Sequence, residues 1–251
     1  MIRLTRISVP MLLLALGGCV TSGSGMPQSH PHDAAKLNAQ MGLEYMEQGN
    51  DALAMEKLQH ALKLDPHSAD ANHYMALLDV KLGKNREAEE HYRRALSEHP
   101  DDPNILNNYG LFLCRQKRLD EAQDKFLAAA RQPFYRTPEV AYANAGVCAM
   151  EVPDFKKAEE YLRAALRQNP TMPDALYEMA HLSFEQKQDL HARAFVQRYL
   201  EVAPAGPQIL LLAVRIERRL GDQTSAMKYA DRLRSKFPTS PEADALDEAA
   251  P

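Results

Sequence analysis

Few residues in this 251-residue sequence have the type and spacing that covalent chemistry requires. Its three cysteines lack the paired C-x-x-C spacing of a zinc site, and its nine histidines are scattered along the chain. The sequence contains no G-x-x-x-x-G-K-[ST] phosphate loop, no H-E-x-x-H helix and no G-x-S-x-G elbow. We therefore expect no enzyme, no metal site, no cofactor and no small-molecule substrate.

The clearest chemical signal surrounds Cys19. A positively charged start and an apolar stretch from Ile7 to Leu16 precede it, which is the layout of a secretory signal. The segment Leu16-Gly17-Gly18-Cys19 resembles the lipobox of bacterial lipoproteins. The resemblance implies cleavage of residues 1–18 and attachment of acyl chains such as palmitate to Cys19; the alternative is an ordinary signal peptide. Val20 favours, again by resemblance, the periplasmic face of the outer membrane.

The segment after the lipidation site predicts a tether. Residues 19–34 are rich in Ser, Gly, Pro and His and show no periodicity, so we expect a flexible linker in which His30 and His32 are solvated spacers. The whole chain has a formal net charge of -4, which argues against a nucleic-acid partner. No apolar run is long enough to span a bilayer as a helix.

The body of the chain repeats one unit. Tryptophan is absent and aromatic residues make up 7%, a balance that favours helices over a sandwich or barrel. Small residues recur at fixed places within each unit, and a proline ends most units. These repeated residues are Ala54, Ala88, Ala122, Ala158, Ala192 and Ala226, with Pro66, Pro100, Pro170, Pro204 and Pro238 twelve residues after five of them.

This pattern resembles the tetratricopeptide repeat, a helix A, a turn and a helix B. Units that begin near residues 35, 69, 103, 139, 173 and 207 predict an all-α fold, a right-handed superhelical solenoid of six repeats over residues 35–243. Gly or Ala on helix A lets helix B approach closely. Residues 244–251 are expected to form a polar C-terminal tail.

The A helices of such a stack line its inner, concave side. Reading the inward positions predicts an apolar groove along the first four repeats, suited to an amphipathic helix or an extended apolar peptide. Asn108 and Asn144 are expected to hydrogen-bond inside the groove or to a ligand backbone. The predicted groove residues are Leu43, Met46, His73, Leu77, Val80, Asn104, Asn107, Asn108, Leu111, Asn144, Val147 and Met150.

Two cysteines fall on neighbouring A helices. Cys114 and Cys148 lie 34 residues apart, and stacked helix axes are about 8–10 Å apart, so facing Cα atoms can come within disulfide range. Export would place the pair in an oxidising compartment. The two residues either form a disulfide or pack as two small buried thiols.

Two central segments are more distinctive than the repeats. Asn107-Asn108-Tyr109-Gly110-Leu111-Phe112-Leu113-Cys114 is followed by Pro133-Phe134-Tyr135-Arg136-Thr137-Pro138. With the lipobox and six repeats, these segments resemble the type IV pilus biogenesis and stability lipoproteins, the PilF/PilW pilotin family. The resemblance implies an outer-membrane pilotin that binds the type IV pilus secretin, of the PilQ type, and promotes its localisation and multimerisation for twitching motility.

Two alternatives stay open. Some relatives are described as stabilising pili at a later step, which the sequence does not separate from secretin assembly. The repeats alone also permit another adaptor lipoprotein of the cell envelope, in β-barrel assembly or cell-wall metabolism.

Overall fold

A computed structural model describes residues 31–151 and 154–248, and those residues form α-helices joined by short turns, with no strand among them. The predicted all-α solenoid of tetratricopeptide repeats is confirmed. The helices are α1 (Pro31–Glu47), α2 (Asp51–Leu64), α3 (Ala69–Lys81), α4 (Asn85–Glu98), α5 (Pro103–Arg115), α6 (Leu119–Ala130), α7 (Pro138–Met150), α8 (Phe155–Gln168), α9 (Pro173–Glu185), α10 (Asp189–Val202), α11 (Pro207–Arg219), α12 (Gln223–Lys236) and α13 (Pro241–Glu248).

Helices α1 to α12 pair into six hairpins, with odd-numbered A helices and even-numbered B helices. Side chains at the helix starts explain where several of them begin. Ser68 accepts a hydrogen bond from the amide of Ala71, and Asp102 accepts from the amides of Asn104 and Ile105. Such caps satisfy amides that have no partner within the helix.

The first helix begins earlier than the sequence indicated. His32 and Asp33 were expected in the tether, but α1 starts at Pro31 and includes both. The His32 imidazole Nδ1 lies 2.9 Å from Oδ2 of Asp65, just beyond the end of α2. A contact to the end of helix B in the same hairpin therefore holds this end of α1.

Close contact between helices A and B depends on glycine in three repeats. A Cβ added to Gly110 would lie 2.7 Å from two ring carbons of Phe126, and one added to Gly42 would lie 2.6 Å from a side-chain carbon of Leu58. Gly146 meets Leu162 in the same way. Real Cβ contacts are not this short, so the hairpins would have to open to accept a larger residue.

The A helices form the inner side of the stack. Each A helix contacts the next A helix, from α1 with α3 through α9 with α11, and each B helix contacts the following A helix. The backbones of successive B helices lie farther apart, with no Cα–Cα distance within 8 Å in the described part of the chain. The row of A helices is therefore the shorter, concave path, and the B helices are spread along the convex side.

The chain end differs from the expected polar tail. The helix α13 (Pro241–Glu248) includes the first part of that segment and packs against α11 and α12. Ala243 and Leu246 are buried in the apolar cluster of the last repeat. The end of the stack leaves an apolar face on α11 that needs a cover, and α13 supplies it as a capping helix.

Candidate binding surfaces

The concave face carries most of the predicted groove residues, but it is less open than the sequence suggested. Leu77, Val80 and Leu111 are half-buried because they also pack on the core around Tyr92 and Phe112. Each of these side chains fills the space between neighbouring A helices and presents only part of its surface. The concave face is therefore a shallow apolar strip and not a deep trough.

The remaining apolar positions of this face vary in exposure. Leu43, Met46 and Met150 are half-buried, the two methionines against the cores of their own hairpins. Val147 on α7 is 40% exposed. Val147 is therefore the most accessible apolar member of the predicted set.

Polar side chains join neighbouring A helices across the same face. The Asn108 amide nitrogen lies 3.0 Å from Nε2 of His73, and the Asn144 amide nitrogen donates to Oδ1 of Asn107 at 3.0 Å. Burial lowers the pKa of His73 to about 4, against the opposing pull of Asp102 and Asp70. Nε2 of the neutral ring accepts a hydrogen bond from the Asn108 amide nitrogen.

These bonds correct part of the predicted ligand set. His73 and Asn107 are only 6% and 7% exposed, so they lie beneath the surface and do not line an open groove. Their partners Asn108 and Asn144 are half-buried and bond within the protein. Asn104 alone among the predicted amides is exposed. The amides fix the spacing of the A helices because a buried polar group needs a partner.

Cys114 and Cys148 are joined by a disulfide that links α5 to α7. Their Cα atoms lie 5.9 Å apart, inside the range that a disulfide spans. Cys148 is buried and Cys114 half-buried. The Asn107–Asn144 bond joins the same two helices, so a covalent and a polar link together hold the third and fourth repeats.

The concave face changes character in the fifth and sixth repeats. Burial first, and then Asp174, raise the pKa of Glu178 to about 6. His181 lies 3.9 Å from that carboxylate, and the Arg219 guanidinium lies over the Phe184 ring at 3.7 Å. This part of the chain is charged and aromatic, whereas the predicted groove residues of the first four repeats are uncharged.

Two further features were not singled out as sites from the sequence. Phe134 is 96% exposed in the connection between α6 and α7. Asp79 is a buried carboxylate on α3, facing a cleft on the convex side. The sequence does carry a signal for Asp79. The eleventh position of the second repeat is this acidic residue, whereas the third and fourth repeats have the apolar Leu113 and Ala149 at the same position.

Other expectations concern sites of other kinds. The predicted lipidation residue, Cys19, lies outside the described residues. Among residues 31–151 and 154–248, none of the helices has the length and apolar character needed to cross a membrane. The same residues contain no group of three or more metal-ligating side chains.

Comparison with known families and proteins extends the assignment. Models of the tetratricopeptide repeat match residues 35–68, 75–136, 149–214 and 208–240. The chain is 32% identical over 233 residues to the type IV pilus assembly protein PilF of Pseudomonas aeruginosa, covering 92% of each protein. It is 31% identical over 152 residues to an uncharacterized protein of Haemophilus influenzae, covering 59% of this chain and 79% of the relative.

Solved structures agree with these matches. The crystal structure of PilW, described as a widely conserved type IV pilus biogenesis factor, superposes with a TM-score of 0.78 at 33% identity, over 84% of this chain and 97% of PilW. The structure of Pseudomonas aeruginosa PilF gives a TM-score of 0.76 at 30% identity, over 88% and 99%. Repeats of this kind bind other proteins, so the chain is an adaptor and not an enzyme. It belongs to the family of type IV pilus biogenesis proteins that contains PilF and PilW.

Proposed function

We propose that this protein is an outer-membrane pilotin: a lipoprotein that binds the type IV pilus secretin and promotes its localisation and multimerisation. The observation that carries the proposal is the match to PilF along almost the whole chain, 32% identical over 92% of each protein. The lipobox at Cys19 supports the membrane anchor, since several acyl chains make membrane attachment effectively permanent. The partner is a protein segment, because the chain is a repeat adaptor.

The concave strip of the first four repeats is the part of the surface that we assign to the secretin. Its accessible members are uncharged: Asn104 and Val147 are exposed, and Leu77 and Leu111 are half-buried. A shallow apolar strip that is formed by closely spaced A helices suits an amphipathic helix bound along it. The half-buried methionines adapt to such a surface because their side chains are flexible.

Deleting the gene tests the role in the cell. We expect heat-resistant secretin multimers and surface pili to disappear while other outer-membrane barrels stay at normal levels. Normal secretin multimers with short-lived pili would contradict secretin assembly and support later pilus stabilisation. A general loss of outer-membrane barrels with intact pili would support the other adaptor role.

A surface variant tests the concave strip. Val147→Glu places a charge on the strip at a position that is 40% exposed, and we expect secretin binding to weaken by about tenfold or more, because a buried unpaired charge is costly. Leu77 and Leu111 are poorer targets, since both also pack on the core. Binding is measured by pull-down of the secretin with the purified protein.

The matched control is Val202→Glu. Val202 is also 40% exposed but lies at the end of the B helix α10, away from the concave face. The control variant should bind the secretin as the wild type does, and both variants should keep the wild-type circular dichroism. Wild-type binding by a folded Val147→Glu variant would refute the assignment of the strip.

A change at Cys19 tests the anchor. Cys19→Ser removes the thiol that lipidation requires, so we expect a folded protein that fractionates with the soluble periplasm and no longer with membranes. Metabolic labelling with a palmitate analogue should mark the wild type alone. Continued membrane fractionation of Cys19→Ser in a strain without the secretin would contradict lipid anchoring.

A further inference from the structure

The convex side of the first two repeats contains a cleft. Because no Cα atom of α2 lies within 8 Å of one in α4, the space between these helices opens onto α3 and has a volume of about 490 Å³. Apolar side chains from α2 and α3 form part of its walls, and Asp79 lies at its base. The lining residues used below are Met55, Leu62, Met75, Asp79, Lys84 and His91.

Asp79 is a buried carboxylate that lacks a hydrogen bond. Its side chain is 5% exposed, and the nearest basic nitrogens are Nζ of Lys84 and Nε2 of His91, each 3.9 Å from a carboxylate oxygen. Both distances exceed hydrogen-bond range, and no other described residue pairs with this carboxylate. Burial raises the pKa of Asp79, against the opposing charge of Lys84. A charged donor that enters the cleft can therefore form hydrogen bonds with this carboxylate that no described residue supplies.

His91 offers a second acceptor at the same place. The Asn72 amide nitrogen donates to the carbonyls of Pro66 at 3.0 Å and Ser68 at 2.9 Å, so its oxygen must be an acceptor. That oxygen lies 2.9 Å from Nδ1 of His91, which therefore carries the proton. Burial lowers the pKa of His91 and so favours the neutral ring, in which Nε2 presents a lone pair towards Asp79. Two acceptors thus face the same space.

The sixth repeat contains the same arrangement with its donor present. Glu217 is also a buried carboxylate, ten residues after the start of α11 as Asp79 is ten residues after the start of α3. Arg193, 24 residues earlier on the preceding B helix, donates Nε to Oε1 of Glu217 at 3.0 Å and Nη2 to Oε2. The residue 24 positions before Asp79 is Met55. The cleft at Asp79 therefore contains the carboxylate but no guanidinium from the preceding B helix.

We propose that this cleft binds an arginine side chain of a partner protein, with the guanidinium between Asp79 and His91 and its methylene groups against Met55, Leu62 and Met75. A guanidinium has five N–H donors in one plane and can serve a carboxylate and an imidazole nitrogen together. An ammonium fits less well, since Lys84 already lies near and makes no hydrogen bond. Lys84 is half-exposed and can move outward when the guest enters. The cleft lies on the opposite side from the concave strip, so this site is independent of secretin binding there.

A titration of the full-length protein tests the site. The probe is N-acetyl-L-arginine amide, and its neutral isostere N-acetyl-L-citrulline amide is the control ligand. We expect the arginine probe to shift the His91 ring resonances with a dissociation constant on the order of 1 mM, as suits a single charged group. The citrulline compound should cause no comparable shift. Equal responses to both, or a stronger response to free L-arginine than to the capped residue, would overturn the proposal.

Three variants locate the effect. Asp79→Asn should weaken binding of the arginine probe by about tenfold or more, because the charge-assisted bonds are lost. Asp124→Asn makes the same chemical change at an exposed position of α6 and should bind as the wild type does. Met55→Arg supplies the missing guanidinium from within, as Arg193 does for Glu217, and should abolish probe binding while raising the melting temperature.

The last variant keeps the proposal testable if Asp79→Asn fails to fold. Unchanged probe binding by Met55→Arg would show that the guanidinium does not enter this cleft. A lower melting temperature for Met55→Arg than for the wild type would also count against it. Secretin binding is unaffected by all three variants if the concave strip acts alone, which separates this test from that of the proposed function.

Discussion

Removing the Cys114–Cys148 disulfide should destabilise the middle of the solenoid. The bridge joins residues 34 positions apart, and closing a loop of that length reduces the entropy of the unfolded chain by an amount worth about 4 kcal/mol. For a protein of this size, each kcal/mol corresponds to roughly 2–4 °C in melting temperature. We therefore expect a decrease of roughly 8–16 °C in the Cys114→Ser/Cys148→Ser variant.

The effect should be local as well as large. Because each repeat contacts only its neighbours, hydrogen exchange should accelerate most in α5 to α7 and least in α11 and α12. Melting is followed by circular dichroism in a Cys19→Ser background, which removes the third thiol. The wild-type pair with added reductant should behave like the double variant. Equal melting temperatures with and without reductant would refute the entropic argument for this bridge.

Two further predictions concern packing and pH. Gly110→Ala should destabilise the protein by about 1–3 kcal/mol, because its Cβ would lie 2.7 Å from the Phe126 ring. Adding Phe126→Val, which copies the Ala180–Val196 pair of the fifth repeat, should cost less than the two single changes together; strict additivity in urea unfolding would contradict the clash. The pKa of Glu178 is raised to about 6 from 4.5, so at a pH between these values the folded protein binds a proton more readily than the unfolded chain does. This residue therefore makes the protein more stable as the pH falls from about 6 to 4.5. Glu178→Gln should remove that contribution and be more stable than the wild type at neutral pH, and an unchanged pH dependence of unfolding would contradict it.

The repeated architecture was predictable from the sequence because its cause is local. A small residue where two helices touch leaves a periodic mark, and Gly110 and Gly146 stand where the structure has no room for a Cβ. The prolines at the start of α9 and of α11 likewise mark helix starts. Proline has no backbone N–H, and the first N–H groups of a helix have no acceptor within the helix, so nothing is lost there. These signals depend on neighbours within one hairpin, which sequence periodicity records.

The surface was harder to predict because it depends on how hairpins meet. His73 and Asn107 occupy positions that point inward in a single repeat, yet contact between successive A helices buries them. Leu246 appeared to belong to a polar tail, but the last apolar face needed a cover. Asp79 became visible only when the structure showed which side chains stand opposite it. Each of these facts belongs to an interface between repeats.

The separation of successive B helices gives this solenoid a directional mechanical response. Along the inner row, changing the angle between repeats disturbs helix contacts, hydrogen bonds and a covalent bridge. Along the outer row, the same bend mainly widens or narrows the space between helices whose backbones lie farther apart. We therefore expect low-energy bending to pivot about the row of A helices. The B helices move apart or together in this motion, while the concave face keeps its spacing.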